Sequence, residues 1–463
     1  MPRAGTHSLS TATFVDQHRV RLLSELMEFL RYPTVSAQPE HKADLVRAAG
    51  FLSGKMKDAG LENIRIITTP RHPLIYADWL HAIGKPTVLC YGHYDVQPPE
   101  PLEMWTTPPF EPTVRDGRVF ARGASDDKGQ LYTHIKAVEA LRAVSGSLPV
   151  NLKFLIEGEE EIGSESIRDH VQNHAAELKA DVALVSDLPM FAEDLPTLHT
   201  GLRGIVYMEW EATGPSRDLH SGLYGGVAPS AVFGLIELLA RAKDAQGRIT
   251  IPGIYEDVRN PESVELEMWR RLPLDEERFR RLEVGSSRLT GEPDFSVTER
   301  MWSRPTFDVH GIAGGFTGHG SKTVIPATST AKVSMRLVPD QKVEKIVAQV
   351  RRFIEGNTPA GIHVSMRVQN AAPATLVDAA HPAIQAAAAA LAEVFERPTA
   401  FVRSGGTIPV VGYFQDYLGL DTVLMGFGLP DDNLHAPDEN FALSNYYRGI
   451  AAVARFLEIL PNG

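Results

Sequence analysis

Residues 87–95 read TVLCYGHYD, an apolar run that ends in a glycine, a histidine and an aspartate. The apolar half contains side chains that fit a buried β-strand. Gly92 is expected to let the backbone leave that strand in an unusual conformation, which places His93 and Asp95 at the strand end. Because ligands of open α/β sheets bind at the carboxyl ends of strands, the stretch predicts one part of a binding site.

Two further apolar runs also end in acidic residues. Residues 150–156 lead into a glutamate-rich run, and residues 182–185 lead into Ser186 and Asp187. Segments with helical spacing of apolar residues, such as residues 130–144, separate the runs. Strands that alternate with helices predict an α/β fold, with a mostly parallel sheet covered by helices on both faces.

The pattern changes after residue 204. Residues 205–212 and 331–337 alternate between apolar and polar side chains, which is typical of a sheet with one exposed face, and helices are predicted at 230–242 and 343–354. These segments predict an inserted α+β domain. The domain boundaries that follow are residues 1–204 and 376–463 for the first domain and residues 205–375 for the second.

Length and composition restrict the function. The chain has 463 residues, more than one hydrophobic core usually organises, and its formal charge of −12 disfavours nucleic acid as a partner. No apolar run approaches the roughly 18 residues that suggest a membrane span. Residues 1–12 are small and polar, without the apolar core of a signal peptide, so a frayed terminus and a cytoplasmic enzyme are expected. The single cysteine, Cys90, excludes a disulfide within the chain.

Each candidate residue also has an ordinary structural explanation. A lone histidine after a strand is more often structural than a ligand, an acid run is usually a solvated face or a helix start, and a Ser-Asp pair often caps a helix. The residues at the three strand ends nevertheless converge on one edge of one sheet. Carboxylates gathered there would repel one another unless cations bound between them, so the set favours a metal site.

A series of motifs extends this interpretation over most of the chain. In order, they are YGHYDVQP, ARGASDDKG, EGEEEIGS, SDLP, DLHSGLYGG, KTVIPA with SMRLVP, RSGGTIP and DDNLHAPDE. Their order and spacing resemble the two-metal aminoacylase and dipeptidase family of metallopeptidases, in particular its carnosinase-like branch.

The resemblance implies two divalent metal ions and their ligands. His93 and Asp187 would bind one ion. Glu161 and His435 would bind the other, and Asp126 would bridge both. Imidazole and carboxylate ligands suit Zn²⁺ and also accept Mn²⁺ or Co²⁺. The resemblance further implies a cis peptide bond between the bridging aspartate and the next residue.

Two catalytic residues follow from the same resemblance. Two ions about 3.5–4 Å apart can share a water molecule and lower its pKa, so that it forms hydroxide more easily. Glu160 would act as the general base that takes the proton from this water. Asp95 is too close to His93 in sequence to be idle and would orient its imidazole ring. The glutamates of the acid run are adjacent, so the choice of Glu160 and Glu161 follows the family pattern of two acids, one further residue and Gly-Ser.

Substrate-binding residues are expected in the second domain and in a later loop. Arg336 resembles the family's clamp for a substrate carboxylate. Gly405, Gly406 and Thr407 resemble a loop whose backbone donors could hold the carboxylate or the amide of the substrate. The alternative for Arg336 is an arginine on the surface or in strand pairing. His381 and Arg403 are further candidates, for which a loop or packing role fits equally well.

His220 lies in the DLHSG motif, far in sequence from the strand ends, and could be an ordinary surface histidine. In the carnosinase-like branch, the matching histidine crosses a dimer interface and stabilises the oxyanion in the partner's active site. The resemblance therefore implies a homodimer, a metal-binding catalytic first domain, and a second domain that serves as lid and dimerisation domain.

The predicted function is metal-dependent hydrolysis of the peptide bond of dipeptides or similar small peptides. The alternative within the family is an N-acyl-amino-acid amidohydrolase or a desuccinylase-like enzyme, which would share the metal site and differ in pocket shape. A non-catalytic scaffold would be expected to lack a ligand or the base, whereas every such position is occupied. The carnosinase-like motifs favour dipeptides.

Overall fold

Residues 10–460 of the chain are described by a computed structural model. Of the predicted frayed terminus, residues 1–9 lie outside the described part. Residues 11 and 12 are helical and not frayed, because Ser10 caps the first helix by accepting a hydrogen bond from the N–H of Thr13, and Phe14 and Val15 are buried.

The α-helices of the described residues are α1 (Thr11–Leu30), α2 (Lys42–Asp58), α3 (Lys128–Ser145), α4 (Glu165–Asn173), α5 (Ala175–Leu178), α6 (Ser221–Tyr224), α7 (Ala231–Ala240), α8 (Ser263–Arg270), α9 (Glu276–Arg278), α10 (Val297–Trp302), α11 (Val343–Asn357), α12 (Pro382–Phe395), α13 (Pro409–Tyr413) and α14 (Leu443–Ile459). Short 3₁₀ turns lie at Pro39–His41, Leu102–Met104 and Glu160–Ile162, and π-helical turns lie at Phe279–Glu283 and Phe414–Leu418.

The β-strands of the described residues are β1 (Glu62–Ile67), β2 (Leu74–Trp79), β3 (Thr87–His93), β4 (Thr113–Arg115), β5 (Arg118–Phe120), β6 (Asn151–Glu157), β7 (Val182–Val185), β8 (Thr197–Leu202), β9 (Gly204–Thr213), β10 (Leu219–His220), β11 (Asp308–Gly314), β12 (Val324–Ile325), β13 (Thr328–Leu337), β14 (His363–Ala372), β15 (Thr375–Leu376), β16 (Ala400–Ser404), β17 (Thr422–Leu424) and β18 (Asn440–Ala442).

These elements form two compact units. The first contains residues 10–200, 377–402 and 408–460, and the second contains residues 201–376 and 403–407. Residues 403–407, which sequence reasoning assigns to the first domain, belong to the second unit. These residues belong to the second unit because they bond to its side chains. Arg403 forms a bidentate ion pair with Glu265, and Thr407 accepts a hydrogen bond from Arg336.

A mixed sheet with the strand order β1-β2-β6-β3-β7-β17-β8 forms the centre of the first unit. The strands β6, β3, β7 and β17 run parallel, whereas β1, β2 and β8 run antiparallel to their neighbours. The strands β2, β3, β6 and β7 are buried at nearly every position, which requires cover on both faces. The predicted α/β class is therefore confirmed, with antiparallel strands flanking the parallel core.

Cys90 lies within this core, in β3. Its side chain is 1% exposed, and burial raises the pKa of its thiol.

The second unit has a four-stranded antiparallel sheet with the order β11-β13-β9-β14. Val206, Met208 and Trp210 of β9 are buried in a core with residues of α7 and α11, while the residues between them are more exposed. This period of two confirms the predicted sheet with one exposed face, and with it the α+β class of the inserted part.

Among residues 10–460, no helix combines the length and the apolar character that crossing a membrane requires.

Candidate metal centre

Three neighbouring parallel strands of the first unit end at the same edge of the sheet. His93 closes β3 and pairs with Glu157, the last residue of β6. Val185, the last residue of β7, pairs with β3 two positions before His93. The loops that follow β6 and β7 carry Glu161 and Asp187, so the three strand ends bring their side chains to one place.

Gly92 has a role different from the expected one. Its φ does not lie in the positive region, so the backbone conformation does not require glycine. A Cβ at this position would lie 2.7 Å from Cδ1 of Leu131 and 2.9 Å from Oδ2 of Asp127. Glycine therefore lets helix α3 and the loop before it approach the strand closely.

His93, Asp126 and Asp187 form one group of potential metal ligands. Each offers one ligand atom, and these three atoms lie within 4.8 Å of one another. The Nε2 atom of His93 is 3.1 Å from Oδ1 of Asp126 and 3.8 Å from Oδ2 of Asp187. The peptide bond between Asp126 and Asp127 is cis, which confirms that prediction.

A second group consists of Asp126, Glu161 and His435. The Nε2 atom of His435 is 2.8 Å from Oδ2 of Asp126 and 3.5 Å from Oε2 of Glu161. Asp126 thus contributes a different carboxylate oxygen to each group. This is the geometry that a carboxylate bridging two cations requires.

The charges of these residues are unbalanced. Burial, with the charge of Asp126 added, raises the pKa of Asp187 to about 7. The same two causes raise the pKa of Glu161. Hydrogen bonds to Asp126 and Glu161 raise the pKa of His435 to about 11. Asp187 and Glu161 therefore bind protons more tightly than usual, which is typical of buried carboxylates that lack a cation. At Asp126, burial is outweighed by the hydrogen bonds from His435 and His93, which lower the pKa.

Asp95 connects the first ligand to the acid run. Its buried carboxylate accepts hydrogen bonds from Oγ of Ser36 at 2.7 Å and from the N–H groups of Glu160 and Glu161 at 3.2 and 3.1 Å. Its backbone carbonyl oxygen lies 3.1 Å from Nδ1 of His93. Asp95 is thereby placed to orient the imidazole, and it also fixes the backbone of the two glutamates, which sequence reasoning does not reveal.

Glu160 lies next to the second group without belonging to it. Glu161, and not Glu160, shares that group with Asp126. Burial, opposed by His93 and reinforced by Asp187, raises the pKa of Glu160. A carboxyl group beside the ligands, with an unusually high affinity for protons, can accept and return a proton.

Sequence reasoning missed Glu439. Its buried carboxylate accepts hydrogen bonds from the N–H groups of Ser125 at 3.0 Å, Asp126 at 3.1 Å and Gly123 at 2.9 Å, and from Nη1 of Arg122 at 2.8 Å. These bonds hold the loop that carries the shared aspartate. The available signal was the position of Glu439 in the DDNLHAPDE motif, but nothing in the sequence shows that its partners are backbone groups.

Arg336, Gly406, Thr407 and His220 are candidate substrate-binding residues of the second unit. Nη1 of Arg336 donates a hydrogen bond to Oγ1 of Thr407 at 2.7 Å. Gly406 is exposed, and its N–H donates to Oγ of Ser404. His220 is exposed, with Nδ1 accepting a hydrogen bond from the N–H two residues later at 2.9 Å.

The remaining candidates have structural contacts that account for them. His381, in the first unit, caps α12 by accepting a hydrogen bond from the N–H of Ala383 at 3.2 Å. Arg403 is buried, and its Nε and Nη2 atoms donate to the two carboxylate oxygens of Glu265 at 2.9 and 2.8 Å. These contacts support the loop or packing role that the sequence left open for His381 and Arg403.

Comparisons with known proteins agree with this geometry. Residues 89–459 match the sequence model of peptidase family M20/M25/M40. The chain is 31% identical over 463 residues to the Cys-Gly metallodipeptidase dug1 of Schizosaccharomyces pombe, with 97% of each chain covered. It is 30% identical to the Beta-Ala-His dipeptidase of Homo sapiens, over 96% of this chain and 90% of that protein. The solved structure of the dipeptidase Dug1p from Saccharomyces cerevisiae is similar with a TM-score of 0.86 at 30% identity, and 99% of both chains is covered.

Proposed function

Because this chain belongs to peptidase family M20/M25/M40, we propose that it is a metal-dependent dipeptidase, which hydrolyses the peptide bond of dipeptides or similar small peptides. The observation that carries the proposal is the pair of ligand groups that share Asp126, with Glu160 beside them. Relatives over almost the whole chain length are dipeptidases, which supports the choice of substrate class.

The residues fit two divalent metal ions. Both groups offer imidazole nitrogen and carboxylate oxygen, the ligand types that Zn²⁺ prefers and that Mn²⁺ and Co²⁺ accept. Cations would also neutralise the excess of buried carboxylates. We therefore propose two ions, with Zn²⁺ first. When bound, such ions act as Lewis acids, which acidify water and polarise a substrate carbonyl group.

The chain's own residues would then have separate tasks. His93 and Asp187 would hold one ion, Glu161 and His435 the other, and Asp126 would hold both. Asp95 would keep the imidazole of the first histidine in place.

Glu160 would perform the proton transfers of the reaction. Its carboxylate would accept a proton from the attacking water and pass it to the nitrogen of the leaving amine, so that the peptide C–N bond breaks with a neutral leaving group. Its raised proton affinity, caused first by burial, suits a group that must both accept and return a proton.

Substrate binding is proposed for residues of the second unit. Arg336, Gly406 and Thr407 would hold the carboxylate of the substrate, Arg336 through its guanidinium and the two loop residues through backbone donors. His220 would stabilise the oxyanion, as in the family branch that its motif resembles. His381, which caps α12 through Nδ1, would contribute a further substrate contact.

We further propose that the chain acts as a homodimer through the second unit. Large apolar side chains are exposed there, including Leu223 (74%), Val227 (81%), Phe233 (62%) and Ile312 (49%). The strand β11 is exposed along its whole length and lies at the edge of its sheet. Exposed apolar residues and an open strand edge both favour association with a second copy of the same unit.

Mixed dimers test whether His220 acts across that interface. His220→Ala and Glu160→Ala chains should each be nearly inactive alone. In a mixed dimer, one site has both an intact Glu160 and a His220 donated by the other chain. Random mixing should therefore restore about a quarter of the wild-type activity. If mixed dimers form and no activity returns, His220 acts within its own chain or not at all.

A substrate panel tests the function itself. Protein stripped by a chelator would be assayed on dipeptides and on N-acyl and N-succinyl amino acids, with Zn²⁺ or Mn²⁺ added back. Metal-dependent cleavage of dipeptides supports the proposal. A preference for N-acyl or N-succinyl substrates would instead favour the amidohydrolase or desuccinylase-like alternative, and no cleavage with either metal would favour a non-catalytic scaffold.

A cytoplasmic location is also part of the proposal. The chain's only cysteine is a buried free thiol, which fits a reducing compartment. Cell fractionation of the native protein would test it.

A further inference from the structure

Two guanidinium groups of the second unit lie together without an ion-pair partner among the described residues. Arg336 of β13 pairs with Ile205 of β9, and Arg203 lies two residues before Ile205, just outside that strand. Oγ1 of Thr407 accepts a hydrogen bond from Nη1 of Arg336 and donates one to the carbonyl oxygen of Arg203, so both arginines lie beside the same residue. Asp308 is the acid whose charge acts on both. Its carboxylate, however, accepts a hydrogen bond from Thr306 and lies 3.9 Å from Nζ of Lys243.

Burial and mutual repulsion make this pair costly for the protein alone. Burial, reinforced by the charge of Arg336, lowers the pKa of Arg203 to about 10. Burial also lowers the pKa of Arg336. Like charges that are held together in this way are stabilised by a bound anion, and the planar guanidinium matches a carboxylate.

Arg203 is bonded to each residue of the loop 405–407. Its N–H donates to the carbonyl oxygen of Gly406 at 3.0 Å, and its Nε–H donates to that of Gly405 at 2.9 Å. Its own carbonyl oxygen accepts a hydrogen bond from Oγ1 of Thr407, the hydroxyl that also accepts from Arg336. A Cβ on residue 405 would lie 2.9 Å from Nη2 of Arg203, so the guanidinium packs against a surface that glycine keeps open.

We infer that Arg203 is a positioning residue for substrate selection, which holds the loop 405–407 in place and adds a second positive charge beside Arg336, so that substrates with a free carboxylate are preferred. The inference rests on the proposed function, which assigns the carboxylate of the substrate to Arg336 and Thr407. Arg203 itself acts through the loop and through its charge.

The test compares a dipeptide with its C-terminal amide, using metal-loaded wild-type protein and the variants Arg203→Met and Arg203→Lys. For the free acid, Arg203→Met should raise KM by about tenfold or more and change kcat little, since binding loses both a positive charge beside Arg336 and the support of the loop 405–407. For the amide, kcat/KM should change less than threefold, a difference within ordinary variation for such contacts. Arg203→Lys keeps the charge and should recover part of the preference.

A second variant and a matched control separate this role from a merely structural one. Gly405→Ala would displace the guanidinium without removing it and should produce the same selective rise in KM. Arg259→Met makes the same substitution at an exposed arginine, whose guanidinium donates to Asp340 at 2.7 and 2.9 Å, and should leave both substrates unaffected. Thermal unfolding of each variant would show whether the fold is retained.

An equal loss on the free acid and the amide, or an unchanged KM in Arg203→Met, would overturn the inference. Calorimetric titration with the same two ligands needs no turnover, and it distinguishes this failure from failure of the proposed function. If the wild-type protein cleaves no dipeptide, the proposed function is wrong. The inference then stands if the wild-type protein binds the acid more tightly than the amide and Arg203→Met loses that difference, and falls otherwise.

Discussion

The acid cluster of the first unit and the arginine pair of the second each hold like charges together, the first with backbone donors and the second with backbone acceptors. In the first, the supporting carboxylates of Asp95 and Glu439 are bonded to backbone N–H groups, which fixes the loops that carry the ligands. In the second, Arg203 is bonded to backbone carbonyl groups of a short loop. In both places backbone groups fix the supporting charges. The remaining charges are those that we propose bind an ion or group of opposite sign.

Removal of the shared aspartate should abolish metal binding by the acid cluster of the first unit, which is the largest effect that we expect. In Asp126→Ala both ligand groups lose a member, so we expect loss of both metal ions and of measurable activity. Elemental analysis of the dialysed protein is the measurement. Asp431→Ala, at an aspartate whose side chain is 73% exposed, is the control and should keep its metals. Full metal content in Asp126→Ala would contradict the assignment.

Glu160→Gln should separate proton transfer from metal binding. The amide cannot accept a proton, so kcat should fall by about 10²–10⁴-fold. The metal content should stay at the wild-type level, since Glu160 belongs to neither ligand group. Steady-state kinetics and metal analysis of the same preparation check both statements. A fully active Glu160→Gln enzyme would show that the acid run is assigned in the wrong register.

Arg336→Met should weaken substrate binding by the arginine pair of the second unit and leave the acid cluster of the first unit unchanged. Loss of the guanidinium should raise KM for a dipeptide with a free carboxylate by about 10–100-fold, which corresponds to one charge-assisted hydrogen bond or two. Metal content should not change. Kinetics on a dipeptide and its amide provide the measurement, and a loss of metal would mean that the charges of the two units are not functionally separate.

Glu439→Gln should have the smallest effect. It tests how much the hydrogen bonds from backbone N–H groups to Glu439 contribute to metal affinity. The amide NH₂ group would face N–H donors, so the loop that carries Asp126 should become less well fixed. We expect metal affinity to fall by about tenfold, as for other groups that support ligands indirectly. Competition with a chelator of known affinity measures the change. An unchanged affinity would mean that other contacts suffice to position the loop.

The sequence was most informative where one chemical pattern determines one structural role. The apolar run before His93 predicts a buried strand and its end, and the alternation in residues 205–212 predicts a half-exposed sheet; both are confirmed. The glutamate-rich run and Asp187 follow the adjacent strands β6 and β7 for the same reason.

The parts that could not be predicted depend on contacts between distant segments. Glu439 and Arg203 bond to backbone atoms far away in sequence, and a backbone partner leaves no trace in residue identity. Residues 403–407 join the second unit through side-chain and backbone hydrogen bonds that no periodicity reveals. At Gly92 the residue type was informative and the reason was wrong, because close packing by Leu131 and a special φ both favour glycine.

The burial of Cys90 makes this chain suitable for site-specific chemical labelling. The thiolate is the form that alkylating reagents attack, and a thiol with 1% exposure and a raised pKa supplies very little of it. A cysteine introduced at an exposed position, such as Ile83 (96%) or Leu282 (62%), would therefore carry the label alone in a chain with no other accessible thiol. Fluorescent or spin probes can then be attached without first replacing Cys90.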